Sequence, residues 1–450
     1  MDEISREPER SPEDQIIASF LKKRSPTYRS LREISTIVWS DSRATAYFAR
    51  ERGSADNPGD EGRRKHYNLM RGIGDEMQRE TGVLKLERPR PEVLDLCMAP
   101  GGYTASIRKY SRQANVSAIT LPEDQGGLKI LVPHGNGTQV EVLEADITMF
   151  AAEFGVVEIP DNHPEASKFS NEKPFQKKLF DLVFCDGHVA RTWNRPSNCP
   201  PTELSRLECS QLIFAMQRIR EGGTLIILLH GADVYHSVKL LEIFGHFSHI
   251  QVFKPVRGHT RKSSFYLVAK EMQPGRLAAR AAVTQWKQNW KHATFLAPAE
   301  DELDAHNETE ALLKQVERKE DSSKLVENFG ARLIHLGEPI WEIQEKALKA
   351  LMERLEQGSA KPGMEKSAET SEECTTADPA VLTELARDTD DSSYASWTKK
   401  QGRGTESDQD SVGQTSTAAT EIAAAAVRDS EEDLDEAGDP DDVDTAPVLE

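Results

Sequence analysis

The chain has 450 residues, of which 37% are hydrophobic and 29% charged, so a good part of it belongs outside any core. A formal net charge of −19 argues against a generic nucleic-acid glue, which needs positive surface against phosphate. Five cysteines with neither a Cys-x-x-Cys pair nor zinc spacing exclude a disulfide scaffold and predict reduced thiols in a cytoplasmic or nuclear protein.

The first zone, residues 1–90, starts charged and has no apolar signal segment. "DQIIASFLKKR" and "RRKHYNLMRGIGDEMQRE" carry helical apolar spacing, and the breakers of "ERGSADNPGDEGRR" predict a loop between them. The second zone, 91–270, alternates strands with helices. The strands are "EVLDLC", "VSAITL", "QVEVLEA", "LFDLVFCD", "GTLIILLH", "HIQVFKP" and "SSFYLVAK"; the helices are "YTASIRKYSRQ", "LSRLECSQLIFAMQRIREG" and "DVYHSVKLLEIFG". That alternation predicts an α/β fold with a mostly parallel sheet and ligands beyond the carboxyl ends of its strands. "GGTLIILLHGA" is too short to span a bilayer, so no membrane association is expected. The third zone, 271–357, reads as helices: "RLAARAAVTQWKQNWKHATF" and "EPIWEIQEKALKALMERLE". Trp286 and Trp290, one turn apart, fit packing anchors better than a base-stacking platform. The fourth zone, 358–450, is poor in aromatics and ends "DSEEDLDEAGDPDDVDTAPVLE", the composition of a disordered acidic tail. It suits self-masking or docking of a protein partner.

The stretch "VLDLCMAPGG", Val93 to Gly102, ends an apolar strand on two glycines. They either let a nucleotide-type cofactor approach the backbone at the start of the next helix or make a tight turn with no ligand. In "FDLVFCDGHVAR", Asp186 stands at the end of a buried strand, a poor core design but a good way to aim a carboxylate at that same ligand; the alternative is a cap or turn residue. Asp146 in "VLEADITMF" can likewise cap the next turn or accept from a ligand. Lys254, Arg257, Arg261 and Lys262 cluster between the last two strands, where they hold RNA phosphates or decorate a solvated hairpin tip.

Together, "VLDLCMAPGGYTASI", "FDLVFCDG", "GGTLIILL" and "KPVRGHTRKSSFYLVAK" resemble the FtsJ-like (RrmJ-type) RNA 2′-O-methyltransferases over roughly residues 60–270. The resemblance implies a Rossmann-like sheet with a last antiparallel strand, and RNA as substrate; the helical first and third zones then form extensions on either side. It implies S-adenosyl-L-methionine as cofactor, bound through Asp95, Ala99, Pro100, Gly101, Gly102 and Tyr103, with Thr120, Asp146 and Asp186 nearby. Of the family's Lys-Asp-Lys-Glu set only Asp186 matches. Asn68, Leu228 and Ser264 occupy the other three positions, and Thr120 stands where an acid often ends the second strand.

Methyl transfer from a sulfonium is mostly positioning, but a ribose hydroxyl needs help in losing its proton. Leu228 gives none. Lys65, three residues before Asn68, and His230, two after Leu228, are the candidate helpers to Asp186. Three functions are open on these residues: an RNA methyltransferase with altered catalytic groups; a pseudo-methyltransferase that binds cofactor or RNA as a scaffold; and a methyltransferase whose acceptor, such as a base nitrogen, needs less help.

Overall fold

The computed structural model describes residues 10–56, 59–188, 203–296 and 308–359. Two helices open the chain, α1 (Pro12–Arg24) and α2 (Pro26–Ser40), each with proline at its first position and a serine cap: Ser11 accepts from the Asp14 N–H, Ser25 from that of Tyr28. Helix α2 is absent from the sequence reading, although Leu31, Ser35 and Val38 carry its buried stripe at helical spacing. Helix α3 (Ser42–Asp56) and helix α4 (Asp60–Thr81) come next. They correct the expected loop at 51–64. Asp60 and Glu61 lie in the first turn of α4, where acidic side chains favour a helix start.

The sheet comprises β1 (Glu92–Leu96), β2 (Asn115–Thr120), β3 (Val140–Glu144), β4 (Phe180–Cys185), β5 (Ile219–His230), β6 (His249–Phe253) and β7 (Ser264–Lys270). Its helices are α5 (Gly102–Tyr110), α6 (Glu203–Arg218) and α7 (Tyr235–Gly245). Strand order is β3-β2-β1-β4-β5-β7-β6, with only β7 antiparallel to its neighbours. The order reverses between β1 and β4, the place where open α/β sheets bind ligands.

Both sheet faces are covered, which explains the near-continuous apolar strand runs. Leu94, Leu96, Val183, Leu225, Ile227, Phe265 and Leu267 join the core on one face, where α6 packs. Val93, Leu182, Phe184, Ile226, Tyr266 and Val268 point to the other face with Met70, Ile73 and Met77 of α4 and Ile107 of α5. Asp95, Asp186 and Leu228 fall on this second face by the period of two.

Helix α8 (Leu277–Lys291) packs on α6. Trp286 stacks on Phe244 at 5.9 Å, and the fully buried Trp290 meets Phe154 at 4.4 Å, so both act as packing anchors. Helix α9 (Glu308–Ser359) starts thirty residues before the sequence places it and runs through Pro339. Its stripe Leu325, Phe329, Leu333, Leu336, Ile340 continues across that proline against α1 and α2, and this burial outweighs the helix-breaking residue. Within the first zone, α1 and α2 pack on α9, whereas α4 packs on α5. The acidic tail lies outside the described residues beyond Ser359.

A two-bond ion pair is buried on the α6 side. Arg218 grips Glu153 with two hydrogen bonds of 2.6 and 2.7 Å, donates from Nε to the Pro174 carbonyl, and lies 4.7 Å over the Phe214 ring.

Candidate active site

At the end of β1 the backbone enters a left-handed turn at Cys97, φ 62°, a conformation that a side chain seldom adopts. The turn is tied to β2: Met98 N–H donates to the Ile119 carbonyl, and Ala99 N–H donates to Thr120 Oγ1 at 3.2 Å. Pro100 leads into Gly101, φ 97°, at the start of α5. A Cβ on Gly102 would lie 2.4 Å from Met70 Cβ and 2.7 Å from the Tyr67 carbonyl oxygen. Likewise, Val132 presses on Gly101, and Leu131 N–H donates to the Pro100 carbonyl. What comes so close to the two glycines is the chain itself, α4 on one side and the β2–β3 loop on the other. Gly102→Ala is expected to destabilise the protein by about 1–3 kcal/mol by forcing α4 away, read by urea unfolding. An unchanged midpoint would show that α4 is not seated there.

Beneath the turn lies Asp95, 2% exposed, which accepts from Thr104 Oγ1 at 2.5 Å and anchors the first turn of α5. Burial pushes its carboxyl up to about 7, against the Thr104 bonds. Tyr103 is buried too, stacked on Phe184 at 5.1 Å. Its hydroxyl meets that of Tyr266, and Tyr266 reaches Asp186 Oδ1 at 3.2 Å, so a buried chain of hydroxyls ends on the Asp186 carboxyl. Asp95, Thr120 and Tyr103 thus build the frame on which the turn and Asp186 rest.

Asp186 comes directly after β4, opposite the β1 turn. Its turn is clamped by Gln211 of α6, which accepts from the Gly187 N–H and donates to the Gly187 carbonyl, both at 2.9 Å. Gly187 is needed there because a Cβ would strike Cys97 Sγ. Burial pushes the Asp186 carboxyl up to about 8; the Tyr266 hydrogen bond and the Lys262 charge oppose it, and Asp95 adds to it. Asp146 does act as a cap, accepting from Thr148 N and Oγ1 at 2.8 Å each. Its charge is also felt at Cys97, beside those of Asp95 and Asp186. Three carboxyls therefore surround the end of β1.

The remaining sequence candidates are scattered. Lys65 points away and pairs with Glu61 at 2.5 Å on the outer face of α4. Asn68 is exposed. Leu228 packs in the core against the α4 and α5 side of the sheet, paired with Tyr266. His230 pairs with Ser264 at the end of β5. Lys254 and Arg261 are both buried in internal bonds. Lys254 Nζ donates to the carbonyls of Lys262 and Ser264, and Arg261 donates to the Tyr47 hydroxyl. Arg257, half exposed, pairs with Glu76 at 3.1 Å. Lys262 is partly covered, and its charge opposes the rise at Asp186.

Sequence reasoning missed Gln211, Tyr266, His66 and His259. Tyr266 sits in the recognised strand, two residues from Ser264, and that period-two spacing was available as a signal. His66 is one residue on from Lys65 and on the stripe of Met70, Ile73 and Met77. His259, in an irregular loop, offered no signal.

Residues 75–272, from the second half of α4 to just past β7, match the family model of FtsJ-like methyltransferases. They form an FtsJ-like methyltransferase domain. A relative 26% identical over 207 residues is the ribosomal RNA large subunit methyltransferase E of Zymomonas mobilis, with 44% of this chain and 75% of the relative covered. A structure described as a ribosomal RNA methyltransferase from Plasmodium falciparum is 17% identical with TM-score 0.30, over 44% of this chain and 93% of that one. Human methyltransferase-like protein 13, in complex with SAH, is 14% identical with TM-score 0.28, over 55% and 98% of the two chains.

S-adenosylmethionine is the cofactor of an FtsJ-like domain. The residues present fit it in charge: its sulfonium and ammonium are cations, and Asp146 and Asp186 bracket the end of β1 at the switch point.

Proposed function

We propose that the FtsJ-like domain methylates RNA, with the ribose 2′-hydroxyl as acceptor. The observation that carries this reading is Asp186, held at the β1/β4 switch point by Gln211 and Tyr266 with its carboxyl raised to about 8. RNA as the acceptor rests on the family resemblance and on the ribosomal RNA relative. When bound, S-adenosylmethionine supplies the methyl group. Gly101, Gly102 and the turn from Cys97 to Pro100 would hold it, with Asp146 and Asp186 taking its positive groups. The buried frame of Asp95, Thr104, Tyr103 and Tyr266 fixes these groups in place, so little order is lost when acceptor and methyl carbon are brought into line. A carboxylate of raised basicity is a better proton acceptor near neutral pH than one of ordinary basicity.

The RNA contacts assigned here are Arg257 and Lys262, joined by Arg64 and Arg71 on the exposed side of α4. The acidic tail would dock a protein partner or mask this surface, in a cytoplasmic or nuclear setting. Among the described residues no helix is long and apolar enough to cross a membrane.

The test is transfer of labelled methyl from S-adenosylmethionine to total RNA of the source organism, by wild type and Asp186→Asn. Transfer by the wild type, reduced at least about 100-fold in the variant, is expected. No transfer with cofactor binding intact would instead favour a scaffold that kept the pocket without the chemistry.

A further inference from the structure

On the face of the sheet that carries Asp186, the strand register sets out successive rows of side chains. Asp186 follows Cys185, which pairs with Ile227, so its neighbour on β5 is Leu228, and Leu228 pairs with Tyr266 of β7. In the next row, about 6–7 Å further toward the carboxyl end of β5, His230 pairs with Ser264. Leu228 has nothing to offer an acceptor oxygen, so the charge developing there must be met from the row beyond it. We infer that His259 of the β6–β7 loop is a catalytic residue of this site: seated on Ser264 through Nδ1, it presents Nε2–H to the acceptor oxygen while Asp186 takes that oxygen's proton. The inference rests on the methyltransferase reading above.

The ring is placed by contacts that the strand itself makes. His259 Nδ1 meets Ser264 Oγ at 2.5 Å, and the ring stands edge-on to that of Tyr266, 6.1 Å between centroids. Tyr266 in turn reaches Asp186 Oδ1 at 3.2 Å. Ser264 and Tyr266 are two residues apart on β7, so the imidazole lies on the face of Asp186, beyond Leu228. Its tautomer follows from Ser264. That side chain is fully buried, and among the described residues Nδ1 is the one partner of its hydroxyl. A buried proton left without an acceptor costs more than an idle lone pair, so the hydroxyl donates to Nδ1 and the ring carries its proton on Nε2. The His259 side chain is half-buried, and its Nε2 makes no hydrogen bond to the described residues. Burial favours the neutral ring, and the charges of Lys262, Lys254, His230 and His188 act in the same direction. The loop is fastened around it. Val256 N–H donates to Glu76 Oε2 of α4 at 2.8 Å, Arg261 donates to the Tyr47 hydroxyl of α3 at 3.0 Å, and Lys254 Nζ holds the carbonyls of Lys262 and Ser264 at 2.6 and 2.9 Å. A donor held this way keeps its aim without reorganising as charge develops.

In the reaction, the acceptor oxygen forms its bond to the methyl carbon as the carbon–sulfur bond breaks. Sulfur leaves with the bonding pair as a neutral thioether. The hydroxyl proton passes to the Asp186 carboxylate. His259 keeps its own proton: Nε2–H donates to the oxygen, and that bond strengthens as negative charge builds there. A neutral imidazole suits this role, because it donates without setting a second full positive charge beside the sulfonium.

The experiment compares wild type, His259→Ala, His259→Gln and Ser264→Ala in the methyl-transfer assay. His259→Ala is expected to lose about 100- to 1,000-fold in rate, and glutamine, which keeps an N–H donor, to recover at least about tenfold of that. Added imidazole should restore His259→Ala. N-methylimidazole should not, because it can accept from Ser264 but has no N–H to donate. Ser264 acts as a positioning residue, and Ser264→Ala is expected to lower kcat about tenfold with KM for S-adenosylmethionine unchanged. Lys65→Ala should stay within about threefold of wild type. A second readout needs no turnover. Nitrogen magnetic resonance of isotope-labelled histidine should show His259 neutral, with its proton on Nε2, at neutral pH. Ser264→Ala should release the ring to a mixture of both tautomers. His259→Ala within about threefold of wild type, a loss that neither glutamine nor imidazole repairs, rescue by N-methylimidazole equal to that by imidazole, or a wild-type ring protonated on Nδ1 overturns the inference. A wild type that transfers no methyl overturns the enzyme reading and the catalytic role with it; the resonance spectrum then still decides whether Ser264 sets the ring's proton.

Discussion

Replacing Arg218 with methionine is expected to cost about 3–5 kcal/mol of stability, and Glu153→Gln a similar amount. The two side chains are 2% and 3% exposed and joined by two hydrogen bonds. Each has further partners: Arg218 holds the Pro174 carbonyl, and Gln217 also bonds Glu153. Removing one partner strands the other charge in a low-dielectric interior. It also leaves buried hydrogen-bonding groups unmet. The double variant Arg218→Met with Glu153→Met strands neither charge, so it should recover most of the loss. Urea unfolding of the three variants gives the cycle, with slopes unchanged and midpoints shifted. Single variants within about 1 kcal/mol of wild type, or a double variant as unstable as the sum of the singles, would show that the pair is not buried as a unit. The pair joins α6 to the turn after Met149, and α6 carries Gln211. A weakened pair is thus felt at Asp186.

Asp186→Asn should abolish methyl transfer and yet make the cofactor-free protein more stable at high pH. The Asp186 carboxyl is raised to about 8 in the folded chain, chiefly by burial, against about 3.9 for an unfolded aspartate. A raised carboxyl binds its proton more tightly when folded. Its favourable contribution is therefore whole below pH about 4, declines as pH rises, and is lost once pH passes about 8. Asparagine carries no charge at any pH and still offers an oxygen to Tyr266. The two proteins should match near pH 4, and by pH 9 the variant should lead by on the order of 2–5 kcal/mol. S-adenosylmethionine should close that gap, since its cationic groups favour the ionised carboxylate present only in the wild type. Parallel stability curves from pH 4 to 9 would refute the assignment. The site thus trades stability for a carboxylate poised near neutral pH.

The strands and the helices of the central region were legible because burial on both faces leaves unbroken apolar runs, and the helices between them keep a 3.6-residue stripe. Asp186 was legible for the opposite reason: a carboxylate ending such a run breaks its pattern. The boundaries that failed were set by packing at a distance. Pro339 stays inside α9 because residues on both of its sides bury against α1 and α2. The segment 51–56 is helical despite its breakers, as the end of α3.

The glycines at 101 and 102 show the same division. Their need for close backbone approach could be read from residue type alone, because any side chain excludes it. Which partner approaches could not, since Met70 lies 32 positions away in the chain and only the fold seats α4 on the turn. So it is with the basic loop. Sequence placed four cations between the last two strands. The tertiary structure buried Lys254 and Arg261, paired Arg257 with Glu76, and left Lys262 partly covered. Composition and period report what a residue can do and which face it takes. Direction in an irregular loop is decided by contacts made between distant parts of the chain, and these have no period to read.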